Sequence, residues 1–389
     1  MPDVTAPLKG IRVVELTTMI TGPMTGQMLA DLGADVVKVE QPEGGDPFRS
    51  FRGGLYSPHF CGYNRNKRSI TLDLRAEAGA GTFRKLIERS DILIDNVRAG
   101  GLERLGFGDV VVRSINPKLV HCSITGFGAD GPYANRPAYD AIAQALSGMS
   151  SLFLDTATAD ITGPTTADNV TAHVACQGIL AALVGLGRGH APLRVEVNML
   201  EATIASFMAD PFGYLHQMGL VSDPKLRPRT SQSYAFVCKD MKLIAVHLSS
   251  QEKFWKAFAT SMGREELLSD TRFATRPDRI ENYAALHLAL AKDFLLLPRA
   301  AWFERLSEAG LPVAPIYDVS EVESDPQIRH LQTFCDVEHP TEGRVRTIRR
   351  PLRFEGQRDD QPLSAPPTLG EHTAEILCEL EEDTDSARL

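Results

Sequence analysis

The chain is 389 residues long, with 41 Lys plus Arg against 50 Asp plus Glu and a net charge of −9, and it can form two domains around a substantial core. Its acidity excludes the basic face of a nucleic-acid binder, and without a run of about 18 apolar residues no membrane span is expected. Met1 to Thr5 carry neither the basic start nor the apolar stretch of a secretory signal, and the 6 cysteines form no C-x-x-C pair, which speaks against a disulfide framework or zinc site and for a reducing cytoplasm.

The first half alternates strand-like and helix-like segments. Residues 11–16 read as a buried strand, 24–32 as a helix ended by Gly33, and 36–39 as the next strand, closing on Glu40. Residues 70–74, 91–94 and 119–124 continue the strands, with a helix over 81–90 between them. Alternation of this kind predicts an α/β fold, a parallel sheet covered by helices, with ligands beyond the carboxyl ends of the strands. Residues 170–186 carry apolar groups at helical spacing, and Gly178, Ala181 and Ala182 among them permit close packing. From about Leu220 the texture changes. Residues 242–247 read as a strand, and Ser249 to Glu252 as a capping box opening a helix with Phe254, Trp255 and Phe258. Pro298 and Gly310 bracket a helix over 299–309 with Trp302, Phe303 and Leu306 on it. These aromatic residues are expected in the core of a small domain. The acidic run 379–385 reads as a solvated helix end or a disordered tail.

Four features bear on function. Gly22-Pro23-Met24-Thr25-Gly26 after the first strand, with Glu40 ending the next, resembles a dinucleotide turn with its ribose hook, but the spacing is not G-x-G-x-x-G. Walker A, H-E-x-x-H and G-x-S-x-G sequences are missing, so phosphoryl transfer, zinc proteolysis and serine hydrolysis lose their usual anchors. The basic cluster Asn64-Arg65-Asn66-Lys67-Arg68, followed by Arg75, Arg98 and Arg104, is either a solvated face or a cradle for a phosphorylated ligand. Finally, Asp168 stands where the helix over 170–186 begins. It reads as an N-cap kept ionised by the helix dipole, and a carboxylate held that way can also attack an activated acyl group.

The stretches PLKGIRVVEL at Pro7, GADVVKVEQPEGGDPFR at Gly33, NRNKRSITLDL at Asn64 and ILIDNVRAGGLERLGFG at Ile92 occur in that order. They are followed by ITGFGADGPYANRPAYDAIAQALSG at Ile124, VEVNMLEA at Val195, DPQIRHLQTF at Asp325 and PPTLGEHTAEIL at Pro366. Together they resemble the class III CoA-transferases, the CaiB/BaiF family, over nearly the whole chain. The resemblance implies a Rossmann-like large domain over 1–205 and 325–389, a smaller α+β domain over 220–320, and linkers at 206–219 and 321–324. It also implies an interlocked homodimer. Asp168 matches the family's catalytic aspartate. Ile20, Thr21, Gln41, Leu72, Leu74, Arg75, Asn96, Val97, Arg98, Arg104, Arg136 and Tyr139 match positions that contact CoA.

The implied activity moves CoA from an acyl-CoA to a free carboxylic acid, with CoA as substrate, no permanently bound cofactor and no metal. Ile20, Gln41 and Pro137 depart from the formyl-CoA:oxalate branch, which has glutamine, arginine and lysine there, and residues 230–234 lack its glycine-rich loop. Oxalate is therefore not the expected substrate, and Met19, Ile20 and Met24 suggest a less polar acyl pocket. The alternative within the resemblance is a 2-methylacyl-CoA racemase, whose His-Asp pair is replaced here by Tyr139-Asp140. A tyrosine with an ordinary pKa near 10 is a poor base at neutral pH, which favours the transferase. A non-catalytic CoA-binding protein is the alternative outside enzymology, and Asp168 argues against it.

Overall fold

The structure, a computed structural model, describes residues 6–51, 56–154, 159–248, 252–357 and 363–386. The chain divides into a unit of Met1–Phe212 with Gln332–Leu389 and a second unit of Gly213–Leu331. The helix Pro326–Leu331 thus falls with the second unit, whereas the sequence-based boundaries assign it to the large domain.

In the large unit the chain runs β1 (Arg12–Leu16), α1 (Thr21–Ala30), β2 (Asp35–Glu40), α2 (Pro58–Tyr63), β3 (Lys67–Thr71), α3 (Glu77–Glu88) and β4 (Ile92–Asp95). It continues with α4 (Gly101–Arg104), α5 (Asp109–Ile115), β5 (Val120–Thr125), α6 (Asp140–Leu146), α7 (Thr166–Gly187), β6 (Arg194–Asn198) and α8 (Met199–Phe207). The strands form one 6-stranded sheet in the order β3-β2-β1-β4-β5-β6, and every pairing is parallel. Strand order reverses between β1 and β4, so their carboxyl ends open the crevice where doubly wound sheets bind ligands.

Alternate strand residues feed two cores. Val13, Val36, Ile92, Ile94, Val120 and Cys122 meet Leu29 of α1 and Ile179 of α7 on one face. Val14, Val37, Ile70 and Leu93 meet Phe83, Leu86 and Ile87 of α3 on the other. Cys122 and Cys176 are buried thiols in the first core. β6 was hidden from a reading by apolar runs because Arg194-Val195-Glu196-Val197-Asn198 alternates at the sheet edge, where only Val197 is buried.

By length and composition α7, with 22 residues and a hydropathy of 1.6, could cross a bilayer. It packs instead on α1, β5 and β6 through Ala175, Ile179 and Ala182. A Cβ at Gly178 would lie 2.6 Å from Val195 Cγ1, so glycine is what lets the helix approach β6. A hairpin of Phe334–His339 and Gly343–Ile348 follows the second crossing into this unit. The C-terminal helix Thr373–Ser386 sets Ile376 and Leu380 into the α3 core. The acidic run is therefore the end of a helix, tied to Arg68 by Glu375 at 3.0 Å and Glu379 at 2.7 Å.

The second unit carries β7 (Ser233–Val237), β8 (Leu243–His247) and β9 (Val313–Ile316) in an antiparallel sheet. Helices Glu252–Met262, Tyr283–Phe294 and Arg299–Glu308 supply Trp255, Phe258, Phe294 and Trp302 to its core around Phe236. Trp255, Phe258 and Trp302 are core, as expected, whereas Phe254 only packs against that core and Phe303 is exposed. The capping box at Ser249 falls outside the described residues.

Candidate active site

A cavity of about 970 Å³ opens at the switch point. Its wall is built from the β1–α1 loop, the end of β2 with residues 45–48, the β4–α4 loop, the segment before α6, the first turn of α7 and Met199. Ile20, Thr21, Gln41, Arg75, Asn96, Val97, Arg98, Arg104, Arg136, Tyr139 and Asp168 all line it. Met19 lines it too; Met24 does not.

Leu72 and Leu74 are placed elsewhere. β3 ends at Thr71, three residues earlier than the apolar pattern suggests. Leu72 then enters the core with Phe83 and Ile87, and Leu74 packs against that core, which leaves Arg75 at the cavity. Hydrophobic residues at a strand end serve α3 before they serve a ligand.

The basic side chains sort into two sets. Arg65 pairs with Asp31, and Arg68 with Asp35, Glu375 and Glu379. Lys67 Nζ lies 2.8 Å from Glu15 Oε2 and donates to Pro23 O at 2.7 Å and Asn64 Oδ1 at 2.8 Å. The cluster over 64–68 is thus not a phosphate cradle, because Arg65 and Lys67 are paired inside the fold and Arg68 is held by three carboxylates at its surface. Among the described residues Arg75, Arg98, Arg104 and Arg136 form no ion pair, and Arg136 stacks over the Tyr133 ring at 4.0 Å.

Glu40 is not a ribose hook. Its two oxygens take a bidentate pair from Arg49 at 2.7 Å each, the Ser69 hydroxyl at 2.6 Å and the Asp46 N–H at 3.1 Å. Glycine in the first turn has a different purpose as well. A Cβ at Gly26 would sit 1.9 Å from Glu15 Oε2, and one at Gly22 would sit 2.3 Å from Thr17 Cβ. The two glycines let α1 lie against a buried charge network.

That network is absent from any motif reading. Glu15 and Lys38 are register partners on β1 and β2. Lys38 Nζ lies 3.1 Å from Glu15 Oε1 and 3.0 Å from Asp46 Oδ2, with all three side chains fully buried. Burial opposes the charge on Lys38, but Asp46, Glu15 and Glu40 outweigh it and raise its pKa; burial brings Lys67 down to about 8 against the pull of Glu15. The signal in the sequence was a charge inside each apolar run, at Glu15 and Lys38, and it needed strand register to interpret.

Asp168 sits in the first turn of α7 but does not cap it. The N-cap is Thr165, and Asn169 Nδ2 closes the turn on Thr165 O at 2.6 Å and Oγ1 at 3.1 Å. The Asp168 N–H donates to Asp140 Oδ1 at 3.1 Å, while Asp140 Oδ2 accepts from Gln144 Nε2 at 2.6 Å. Burial and the neighbouring Asp140 carboxylate push Asp168 up to about 7. The expectation that the dipole keeps it ionised is therefore corrected. A dipole contributes about 0.3–1 kcal/mol at a helix end, less than desolvation and a like charge together. Asp140, which has no role in the motif reading beyond its place after Tyr139, adds to the effect of burial on Asp168.

The profile of CoA-transferase family III matches residues 8–373. The chain belongs to this family. It is 32% identical over 399 residues to the succinate–glutarate CoA-transferase of Agrobacterium fabrum, spanning 98% of this chain and 97% of that enzyme. It is also 32% identical over 401 residues to a formyl-CoA:oxalate CoA-transferase of Streptomyces avermitilis, spanning 96% and 95%. Among solved structures, a CaiB/BaiF family protein from Brucella suis superposes with a TM-score of 0.84 at 32% identity, covering 97% of this chain and 100% of that one. The chain is thus a family III CoA-transferase, an enzyme acting on acyl-CoA.

Proposed function

We propose that this CoA-transferase works by covalent catalysis at Asp168, with CoA held by Arg75, Arg98, Arg104 and Arg136. The carrying observation is that a half-buried carboxyl and four arginines free of ion pairs among the described residues line one cavity. Arginine suits phosphate because its planar fork makes paired, charge-assisted hydrogen bonds.

A carboxylate Oδ of Asp168 attacks the thioester carbonyl, the C–S bond breaks, and CoA leaves as thiolate. The thiolate attacks Cγ of the resulting mixed anhydride, releasing the donor's carboxylate and leaving an aspartyl-CoA thioester. The acceptor carboxylate attacks that Cγ and expels the thiolate again. Attack of the thiolate on the new acyl carbonyl then releases acyl-CoA and restores Asp168. Each step exchanges one activated acyl derivative for another, so placement and stabilisation of the oxyanion carry the catalysis. α1 opens at Thr21 without a side-chain cap, and the Thr21 N–H is a suitable donor on the cavity wall.

Partial desolvation makes the Asp168 carboxylate a better nucleophile and at the same time keeps part of it protonated at neutral pH. The acceptor is a carboxylic acid; the names of the relatives span succinate, glutarate and oxalate, and Met19, Ile20 and Phe48 give this wall an apolar stretch. A homodimer in the cytoplasm completes the reading, on family resemblance. The test is incubation with acyl-CoA and no acceptor. A thioester or anhydride on Asp168, trapped by hydroxylamine as the hydroxamate and located by peptide mass, supports it; trapping on another residue overturns it.

A further inference from the structure

Met19 is a non-glycine residue with φ 70°, in the left-handed region that side chains rarely adopt. It stands on the cavity wall between Thr18 and Ile20. Such conformations cost of order 1–3 kcal/mol and persist only where surrounding contacts over-determine them. Here the contacts are all present. Thr17 O accepts from Lys38 Nζ at 2.8 Å. Thr18 is clamped at both backbone groups by Asn96, whose Oδ1 accepts its N–H at 3.0 Å and whose Nδ2 donates to its O at 2.8 Å. The Met19 N–H donates to Asp46 Oδ1 at 3.2 Å, and the same oxygen accepts from Phe48 N at 2.9 Å. Asp46 is in turn fixed through Oδ2 by Lys38, which is paired to Glu15, which is paired to Lys67.

Packed apolar side chains in place of buried ion pairs often leave a fold as stable or more so, which makes stability a weak explanation for this network. We infer that Asp46 and Lys38 are positioning residues of the transferase: together they hold the β1–α1 loop in the left-handed turn at Met19 that shapes the acyl-CoA cavity beside Ile20 and Phe48. The inference rests on the reading of this cavity as the acyl-CoA site. It gives a purpose to the Lys38, Asp46 and Gly26 positions that neither a nucleotide motif nor the arginines account for. Asp46 accepts the loop's Met19 N–H and Lys38 holds Asp46 and the Thr17 carbonyl in place, while Gly26 leaves room for the Glu15 carboxylate beneath them.

The test compares Met19→Gly with Met19→Val. Glycine populates positive φ readily and a β-branched residue does not. Both variants remove the methionine side chain, so a role confined to that side chain moves them alike. The expected result is a kcat/KM for Met19→Val at least tenfold below that of Met19→Gly, with the larger share in KM for acyl-CoA and thermal unfolding of the two within a few degrees. Equal values overturn the inference. A double-mutant cycle adds Asp46→Ala to Met19→Gly. If Asp46 acts by holding Met19, its loss costs less in the Met19→Gly background; strictly additive losses overturn the inference. Should Asp46→Ala not fold, the Met19 pair decides alone. Binding of a non-hydrolysable acyl-CoA thioether, read by calorimetry in parallel, separates this inference from the proposed chemistry. Full transfer in Asp168→Asn sinks the chemistry, while the Met19 comparison still decides the loop.

Discussion

The Asp168 backbone N–H donates to Asp140 Oδ1 at 3.1 Å, which brings a second carboxylate against the first turn of α7. The contact satisfies a first-turn amide from outside the helix, and it places a like charge beside Asp168. One interaction therefore both orders the helix start and helps keep Asp168 at about 7.

Asp140→Asn should separate these effects. Asn retains an oxygen that accepts the Asp168 N–H but removes the charge, so the Asp168 pKa should fall. The acidic limb of kcat/KM, which reports the free enzyme, should move down with it. An unchanged limb would show that burial alone sets Asp168.

Asp168→Asn should abolish transfer while stabilising the protein at alkaline pH. Asp168 titrates at 3.8 when unexceptional and at about 7 in the fold. Between those values the native state binds a proton that the unfolded chain has lost. Stability from this group is thus present below pH 4 and is lost as pH rises through about 7. Neutral Asn escapes that loss. The variant should gain about 1–2 kcal/mol at pH 8, after discounting for partial exposure, and nothing at pH 4. Urea titrations at both values check it, and an equal gain at both would refute the linkage.

Arg104→Glu should raise KM for acyl-CoA on the order of tenfold or more at low ionic strength, with the difference shrinking as salt screens the phosphates. Circular dichroism should be unchanged, since Arg104 forms no ion pair among the described residues. A KM equal to wild type in low salt would remove Arg104 from the site.

Gly178→Ala should destabilise the large unit despite the better helix propensity of alanine. That preference gives about 1 kcal/mol. The new Cβ, placed 2.6 Å from Val195 Cγ1, must push α7 off β6, at a cost of about 1–3 kcal/mol. A rise in Tm would mean that the strand yields freely.

If the native enzyme is an interlocked homodimer, dissociation and unfolding should coincide on dilution or in denaturant, because linked subunits cannot part while folded. A folded monomer in sedimentation would contradict this.

The alternation of apolar runs and helical periods was enough to mark β1 to β5 of the parallel sheet, since strands buried on both faces are rich in Val, Ile and Leu even where Glu15 and Lys38 interrupt them. It also marked the loops at strand ends, where Arg75 and Arg98 stand, and the helix start that carries Asp168. Its failures have physical causes. Leu72 and Leu74 look like ligand contacts until β3 is seen to stop at Thr71 and hand them to α3. Arg65, Lys67 and Arg68 look like a free basic patch until Asp31, Glu15 and Asp35, distant in sequence, arrive beside them.

Asp168 shows the division most plainly. Its place at a helix start was written in the residues around it, because local chain geometry follows local sequence. Its protonation was not, because that depends on how much water surrounds the carboxyl and on Asp140, which α6 brings up to the first turn of α7. The same holds for the loop at Met19. Sequence determined that a glycine-rich helix follows β1; only the register of Glu15 against Lys38, and the return of Asp46 to meet them, decided the backbone shape of the cavity wall. Electrostatic and steric fields act through space, so they belong to the folded chain and not to its order of residues.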